Sequence, residues 1–234
     1  LRSDAVWHDG QPVTADDVIY TFSKMQDDAY PGAADLHKMW KKVNVIRLDD
    51  LNVQFQLPEP FAPFMDYLAV GLLPEHLLRG VTVQDLVNHP FNLSPVGTGP
   101  FKFDRFFVQD GRITGISLIR NDQYLPQPAY LERVDFQLYA DPGAALQALL
   151  ANEVQGIQSV SLAQLPQVLE RPDLNLYSSR LPIETLVFLN TKEPEKEYIG
   201  DKKFRQALLH ANNRQALIDQ VYQGQGIVAV GPIL

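Results

Sequence analysis

Cysteine is absent from this sequence, which removes disulfides, thiolate metal sites and cysteine nucleophiles and leaves the redox compartment open. Long apolar runs are missing too: no stretch approaches the roughly 18 to 20 residues of a membrane span. Basic clusters are also lacking. With 20 Lys+Arg against 28 Asp+Glu the formal net charge is −8 and the isoelectric point about 5.1, so neither nucleic acid nor an anionic membrane is an expected partner. The histidines His8, His37, His76, His89 and His210 contain no i, i+4 pair, and neither a metal site nor a cofactor is expected. No Gly-x-Ser-x-Gly elbow occurs. Gly97-Thr98-Gly99-Pro100 lacks the Lys-Ser/Thr ending of a phosphate loop, and Pro100 removes a backbone donor, so it reads as a tight turn feeding a strand. His8 and Asp9 are neighbours that point apart in an extended chain, which favours a turn-stabilising role over a catalytic dyad. Nothing obliges the chain to be an enzyme, and none is expected.

What is present is enough apolar content, 45% of 234 residues, for one large domain or two modest ones. Thr14-Ala15-Asp16-Asp17 reads as a helix N-terminus: a hydroxyl able to cap Asp17 N–H, and two acids at the positive end of the dipole. Ala15, Val18, Ile19, Phe22 and Met25 then form one apolar face. Residues 43–48 and 51–57 flank Asp49-Asp50 as a hairpin with one wet face. Short helices are expected within 61–73 and over 82–88, and 90–100, rich in proline and without periodicity, is the linker candidate. A second hairpin turns at Gln109-Asp110-Gly111, and a strand over 133–139 leads to the helix start Asp141-Pro142. A short strand at 157–160, a helix at 162–170, a buried strand at 185–190 and helices over 203–212 and 214–222 complete the reading. The strand–helix–strand–helix order suggests an α/β sheet with crossovers.

Trp7-His8-Asp9-Gly10-Gln11-Pro12-Val13-Thr14-Ala15-Asp16-Asp17-Val18 resembles the signature of the family 5 solute-binding proteins, the oligopeptide/dipeptide type that serve ABC importers. Four further blocks follow in that family's order: Gly97-Thr98-Gly99-Pro100-Phe101, Arg120-Asn121-Asp122-Gln123-Tyr124, Phe188-Leu189-Asn190, and Arg205-Gln206-Ala207-Leu208 with Ala211-Asn212-Asn213-Arg214. Two departures stand out. Leu125 replaces the usual Trp, and Asn152-Glu153-Val154-Gln155 replaces a Gly-Glu-x-Asp turn.

The resemblance implies a mixed α/β fold, periplasmic-binding-protein-like class II, with three lobes in the full protein. It assigns residues 1–93 to the side lobe two, 94–185 to the central part of lobe one, and 186–234 to the hinge and start of lobe three. Both ends read as cut from something longer: there is no start methionine or signal segment, and the sequence stops on apolar residues. The acid that pairs with a ligand amino terminus in peptide-binding members would then lie outside this stretch. The implied role is an extracytoplasmic receptor, periplasmic or extracellular and with a lipid anchor as an option, monomeric, delivering a small solute, foremost a peptide, to permease subunits. Alternatives are a non-peptide solute (sugar, opine or nickel chelate), a sensor feeding a signalling receptor, and, ranked below these, a peptide hydrolase of similar plan. Near the cleft the expected ligand contacts are Gln158, Ser159 and Val160, after the short strand, and Ile183, Glu184 and Thr185, before the hinge strand.

Overall fold

The structure is a computed structural model that describes residues 1–179, 183–192, 197–229 and 231. Its contacts divide the chain into two units, Leu1–Leu138 and Tyr139–Leu234.

The first unit is organised by helix α1 (Ala15–Gln26). Thr14 caps it: its Oγ1 accepts from Asp16 N–H at 3.3 Å, and Asp17 Oδ2 accepts from Thr14 N–H at 2.9 Å, closing a reciprocal capping box. One face of α1 buries Val18, Phe22 and Met25 against Trp40 and Val43. Trp40 ends helix α2 (Ala34–Trp40), an element the sequence reading did not anticipate although Leu36, Met39 and Trp40 carry its spacing. Strands β1 (Asn44–Arg47) and β2 (Val53–Gln56) form the expected antiparallel hairpin, with Val45 opposite Phe55. Phe22 lies 4.3 Å from Trp40 and 5.1 Å from Phe55 between ring centroids, and Phe64, from the one-turn helix α3 (Phe64–Tyr67), completes the cluster at 5.8 Å from Trp40. These offset and edge-on geometries suit aromatic quadrupoles.

The other working face of α1 is polar, yet two of its residues are buried. Asp17, 3% exposed, accepts from three donors: Trp7 Nε1–H at 3.2 Å, Thr14 N–H at 2.9 Å and Glu75 N–H at 2.8 Å. Thr21, also 3% exposed, donates to Asp17 O at 2.7 Å and accepts from Leu73 N–H at 2.8 Å. One turn further along, Tyr20 Oη donates to Leu78 O at 2.6 Å and Lys24 Nζ to Val81 O at 2.7 Å. The i, i+3, i+4 spacing of residues 17, 20, 21 and 24 thus reads the backbone of 73–81. That stretch contains helix α4 (Glu75–Leu78) and leads to α5 (Val83–Leu86), whose N-cap is Thr82.

A 3₁₀ turn at Pro90–Leu93 opens the segment expected to be a linker. Linker freedom is not what the structure shows, because the segment is fastened at Gly97 and Gly99 to side chains distant in sequence. Beyond it, β3 (Phe101–Gln109), β4 (Arg112–Arg120) and β5 (Arg133–Gln137) make an antiparallel sheet with β4 in the middle. Asp110 and Gly111, both at positive φ, form the β3–β4 turn. Among the described residues every strand pairing is antiparallel, so the crossover sheet inferred from element order is not formed.

The second unit begins with α6 (Pro142–Leu150), capped by Asp141 Oδ1 accepting from Ala144 N–H at 2.9 Å. Helices α7 (Leu165–Leu169), α8 (Glu197–Gly200), α9 (Lys202–Ala211) and α10 (Arg214–Val221) follow. Leu146, Ala148, Leu165 and Val168 are its buried apolar side chains among the described residues. Two expected strands are not formed. Residues 157–160 are irregular, and 185–190 have no strand partner, leaving Val187 84% and Phe188 88% exposed. A strand that is apolar on both faces needs a pairing neighbour and cover on each side, and the described residues supply neither here.

Replacing Asp17 with Ala removes one acceptor from three buried donors and is expected to cost about 3 kcal/mol or more, read by urea unfolding; a loss under about 1 kcal/mol would show that water replaces the carboxylate. A Cβ at Gly115 would meet Phe136 O at 2.5 Å and Phe107 Cδ2 at 2.8 Å. Gly115→Ala should therefore destabilise by about 1–3 kcal/mol despite removing a glycine from a strand.

Candidate ligand-binding site

Three of the family-like blocks of the sequence meet in the first unit. Gly10, at φ +87°, lets the chain reverse after Trp7, and Gly10 N–H donates to Trp7 O at 2.8 Å. The turn presents His8 to residues some ninety positions away. His8 N–H donates to Gly97 O at 2.8 Å, Gly97 N–H donates to His8 Nδ1 at 3.1 Å, and His8 Nε2 lies 3.1 Å from Gly99 O. Nδ1 accepts, so Nε2 carries the proton and the ring is neutral. The Gly99 carbonyl accepts a second bond, from Asn121 Nδ2 at 3.1 Å, and Asn121 N–H donates to Pro100 O at 2.9 Å. Asn121 itself is 3% exposed. Three blocks are thereby tied at one backbone carbonyl.

Asp9 makes a contact that sequence reasoning missed. It pairs with His76, whose Nε2 is 2.8 Å from Asp9 Oδ2, while Gln11 N–H donates to Asp9 Oδ1 at 3.1 Å. Partial burial opposes the charge of Asp9, but the bonds from His76 and Gln11 prevail and hold its carboxyl below the usual range. No serine or threonine hydroxyl is hydrogen-bonded to His76 among the described residues. No group of three or more metal-ligating side chains occurs among the described residues either.

The blocks in the second unit also serve local structure. Arg205 Nη1 donates to Ile199 O at 2.9 Å and Gly200 O at 2.7 Å, tying α8 to α9. Asn213 caps α10 by accepting from Ala216 N–H at 3.0 Å, and Arg214 donates to Ala229 O at 2.8 Å. Asn190 Oδ1 accepts from Lys192 N–H at 3.1 Å. The departure at Asn152 has a geometric explanation: its φ is +59°, with Asn152 N–H donating to Leu149 O at 3.0 Å and Glu153 N–H to Ala148 O at 2.9 Å. That is a Schellman ending, and asparagine is the residue that best replaces glycine at the left-handed position.

The six expected ligand contacts all lie in the second unit. Gln158 and Ser159 are exposed and Val160 is half-buried, in the irregular segment between α6 and α7. Just after them, Gln164 anchors the start of α7: its Oε1 accepts from Ser161 N–H at 3.1 Å and Ser161 Oγ at 2.8 Å, and its Nε2 donates to Pro142 O at 2.9 Å. Ile183 is 72% exposed, Thr185 is exposed and Glu184 is half-buried. No hydrogen bond joins the two groups, so the described residues do not by themselves assemble a closed site. An open depression of about 500 Å³ lies in the first unit beside Leu57, Pro58, Phe61 and Met65 and includes none of the six. No helix among the described residues is long and apolar enough to cross a membrane.

All of residues 1–234 match the family described as bacterial extracellular solute-binding proteins, family 5, middle part. The chain belongs to that family, which is one of solute-binding proteins rather than enzymes. It is 30% identical over 236 residues to the oligopeptide-binding protein AppA of Bacillus subtilis, covering 99% of this chain and 42% of AppA. The structure of AppA in complex with a nonapeptide superposes with a TM-score of 0.71 at 28% identity, covering 100% of this chain and 45% of that one. HbpA2 of Haemophilus parasuis gives a TM-score of 0.77 at 28% identity, over 100% and 48% of the two chains. AgaA of A. tumefaciens R10, in complex with agropinic acid, gives 0.59 at 27% identity over 74% and 33%. The chain thus spans less than half the length of these relatives.

The neutral His8 provides a pH test. Burial, together with the nearby Lys102, pushes its pKa below the ordinary 6.5, outweighing the bond to Gly99 O. Its contribution to stability is complete above about 6.5 and fades as pH falls through the depressed value. Thermal unfolding between pH 7 and 5 should therefore show a decline that His8→Phe flattens, whereas a parallel decline in the variant would overturn the assignment. The carboxylate Asp9, with its lowered pKa, loses its contribution only in a more acidic window.

Proposed function

We propose that this chain forms part of an extracytoplasmic receptor that binds peptides or similar small solutes by closure of two lobes and hands them to an ABC importer. The observation that carries the reading is its likeness to AppA along almost all of its own length, in sequence and in fold. On this reading residues 1–93 belong to the side lobe, 94–185 to the central part of lobe one, and 186–234 to the hinge and the start of lobe three. Contacts from the ligand to both lobes stabilise the closed form, and the membrane permease reads the closure. A peptide held through its backbone in strand-like hydrogen bonds leaves its side chains weakly specified. Gln158, Ser159 and Thr185, exposed and able to donate and accept, are suited to such bonds, with Val160 and Ile183 as apolar cover. The receptor works outside the cytoplasm as a monomer, in the periplasm or tethered to the outer surface of a membrane by a lipid anchor, and needs no cofactor.

A second reading, an opine or another non-peptide solute, draws support from AgaA, which was crystallised with agropinic acid. The two are separated by purifying the intact protein from its native host, denaturing it and identifying the released small molecules by mass spectrometry. Peptides are the expected cargo. Release of no peptide, together with tight calorimetric binding of an opine or a sugar, would sink the peptide reading.

A further inference from the structure

Helices α6 and α7 are joined by an irregular segment that starts after the Schellman ending at Asn152 and carries Gln158, Ser159 and Val160. Helix α6 has 9 residues and is about 13 Å long. Residues 154–160 reach about 24 Å when extended, so connectivity alone leaves the segment many paths back to the start of that helix. Its far end is nevertheless held at one place. Gln164 Oε1 accepts from Ser161 N–H at 3.1 Å and from the Ser161 hydroxyl at 2.8 Å, and Gln164 Nε2–H donates to Pro142 O at 2.9 Å, across 22 residues and in the first turn of α6. Ser161-Leu162-Ala163-Gln164 has the spacing of a capping box, but both serine donors go to one oxygen and the amide nitrogen turns to the other helix. Two donors fill both lone pairs of Oε1, so this oxygen is committed to the protein itself.

We propose that Gln164 is a positioning residue for solute binding, an amide bridge that sets the direction of the Val160–Ser161 peptide group against the start of α6. The inference rests on the reading of Gln158, Ser159 and Val160 as peptide contacts and deepens it, by naming the side chain through which those contacts are oriented. Ser161 N–H and Val160 C=O belong to one planar trans peptide and point in opposite directions. The bond from Ser161 N–H to Gln164 therefore turns the Val160 carbonyl away from the clamp, as an acceptor for a main-chain N–H of an extended peptide. A segment already ordered when the solute arrives loses less freedom on binding. The bridge needs an acceptor and a donor on one side-chain tip, which an amide has and a carboxylate lacks.

The test compares the intact protein with its Gln164→Glu and Gln164→Met variants by thermal unfolding and by calorimetric titration with pentaalanine. Gln164→Glu keeps the acceptor for both Ser161 donors and sets an oxygen against Pro142 O; Gln164→Met keeps the length of the side chain and loses all three bonds. The Glu variant should melt within about one degree of the unsubstituted protein yet bind about five- to tenfold more weakly, and the loss should persist in salt high enough to screen the added charge. The Met variant should lose at least as much affinity and melt lower. Unchanged affinity in the Glu variant would assign Gln164 to the start of α7 alone and overturn the inference, whatever the Met variant does. A loss that disappears in high salt, or one accompanied by a fall in melting temperature equal to that of the Met variant, would overturn it as well. In all of these cases the unsubstituted protein binds and the peptide reading stands, whereas its failure to bind pentaalanine would sink that reading and the inference with it.

Discussion

Three N–H groups converge on the carboxylate of Asp17, from the Trp7 indole, the Thr14 backbone and the Glu75 backbone, and the first unit is arranged around that convergence. A buried carboxylate with fewer donors would destabilise the fold, because desolvation of the charge is repaid only when its lone pairs are filled. Here each donor comes from a different piece of structure: the turn before α1, the cap of α1, and the start of α4. One side chain thereby fixes the entry of the helix, the position of Trp7 and the path of the chain some sixty residues later. Thr21, Tyr20 and Lys24 extend the same seam along α1, all bonding to backbone atoms, so the path of residues 73–81 is set without regard to the side chains it carries.

The Gly99 carbonyl plays a comparable part at a second point. His8, 91 residues before it, and Asn121, 22 residues after it, both bond to it, and each is held by further bonds of its own. Such a node explains why the blocks that identify the family identify its scaffold and not its ligand. Trp7, Asp17, Asn121, Arg205 and Asn213 cap helices, close turns or bridge carbonyls. Family membership is firm, while the cargo is a matter for experiment.

The candidate contacts differ from the scaffold in how they are held. Gln158 to Val160 lie on a segment that would be free but for the Gln164 clamp behind it, and 183–185 precede a run of exposed apolar residues. Segments with few internal bonds are those that move most easily when a ligand closes a cleft.

Much of the fold was legible in the sequence because its signals are local. The cap at Thr14, the alternation of Val53 and Phe55, the Asp110-Gly111 turn and the Asp141-Pro142 helix start each act within a few residues, and each appears where its pattern lies. The strands expected at 157–160 and 185–190 were misread because an apolar run states only that a segment wants cover, not whether a partner strand is there to pair with it. Helix α2 was missed since its apolar positions acquire meaning only once Trp40 meets Phe22. What the sequence by itself determined was the family and the local elements, through caps, turns and ordered motifs. Which distant groups meet, Asp17 with Glu75, His8 with Gly99, Asp9 with His76, only the tertiary structure decided, because a hydrogen bond depends on distance in space and not on separation along the chain.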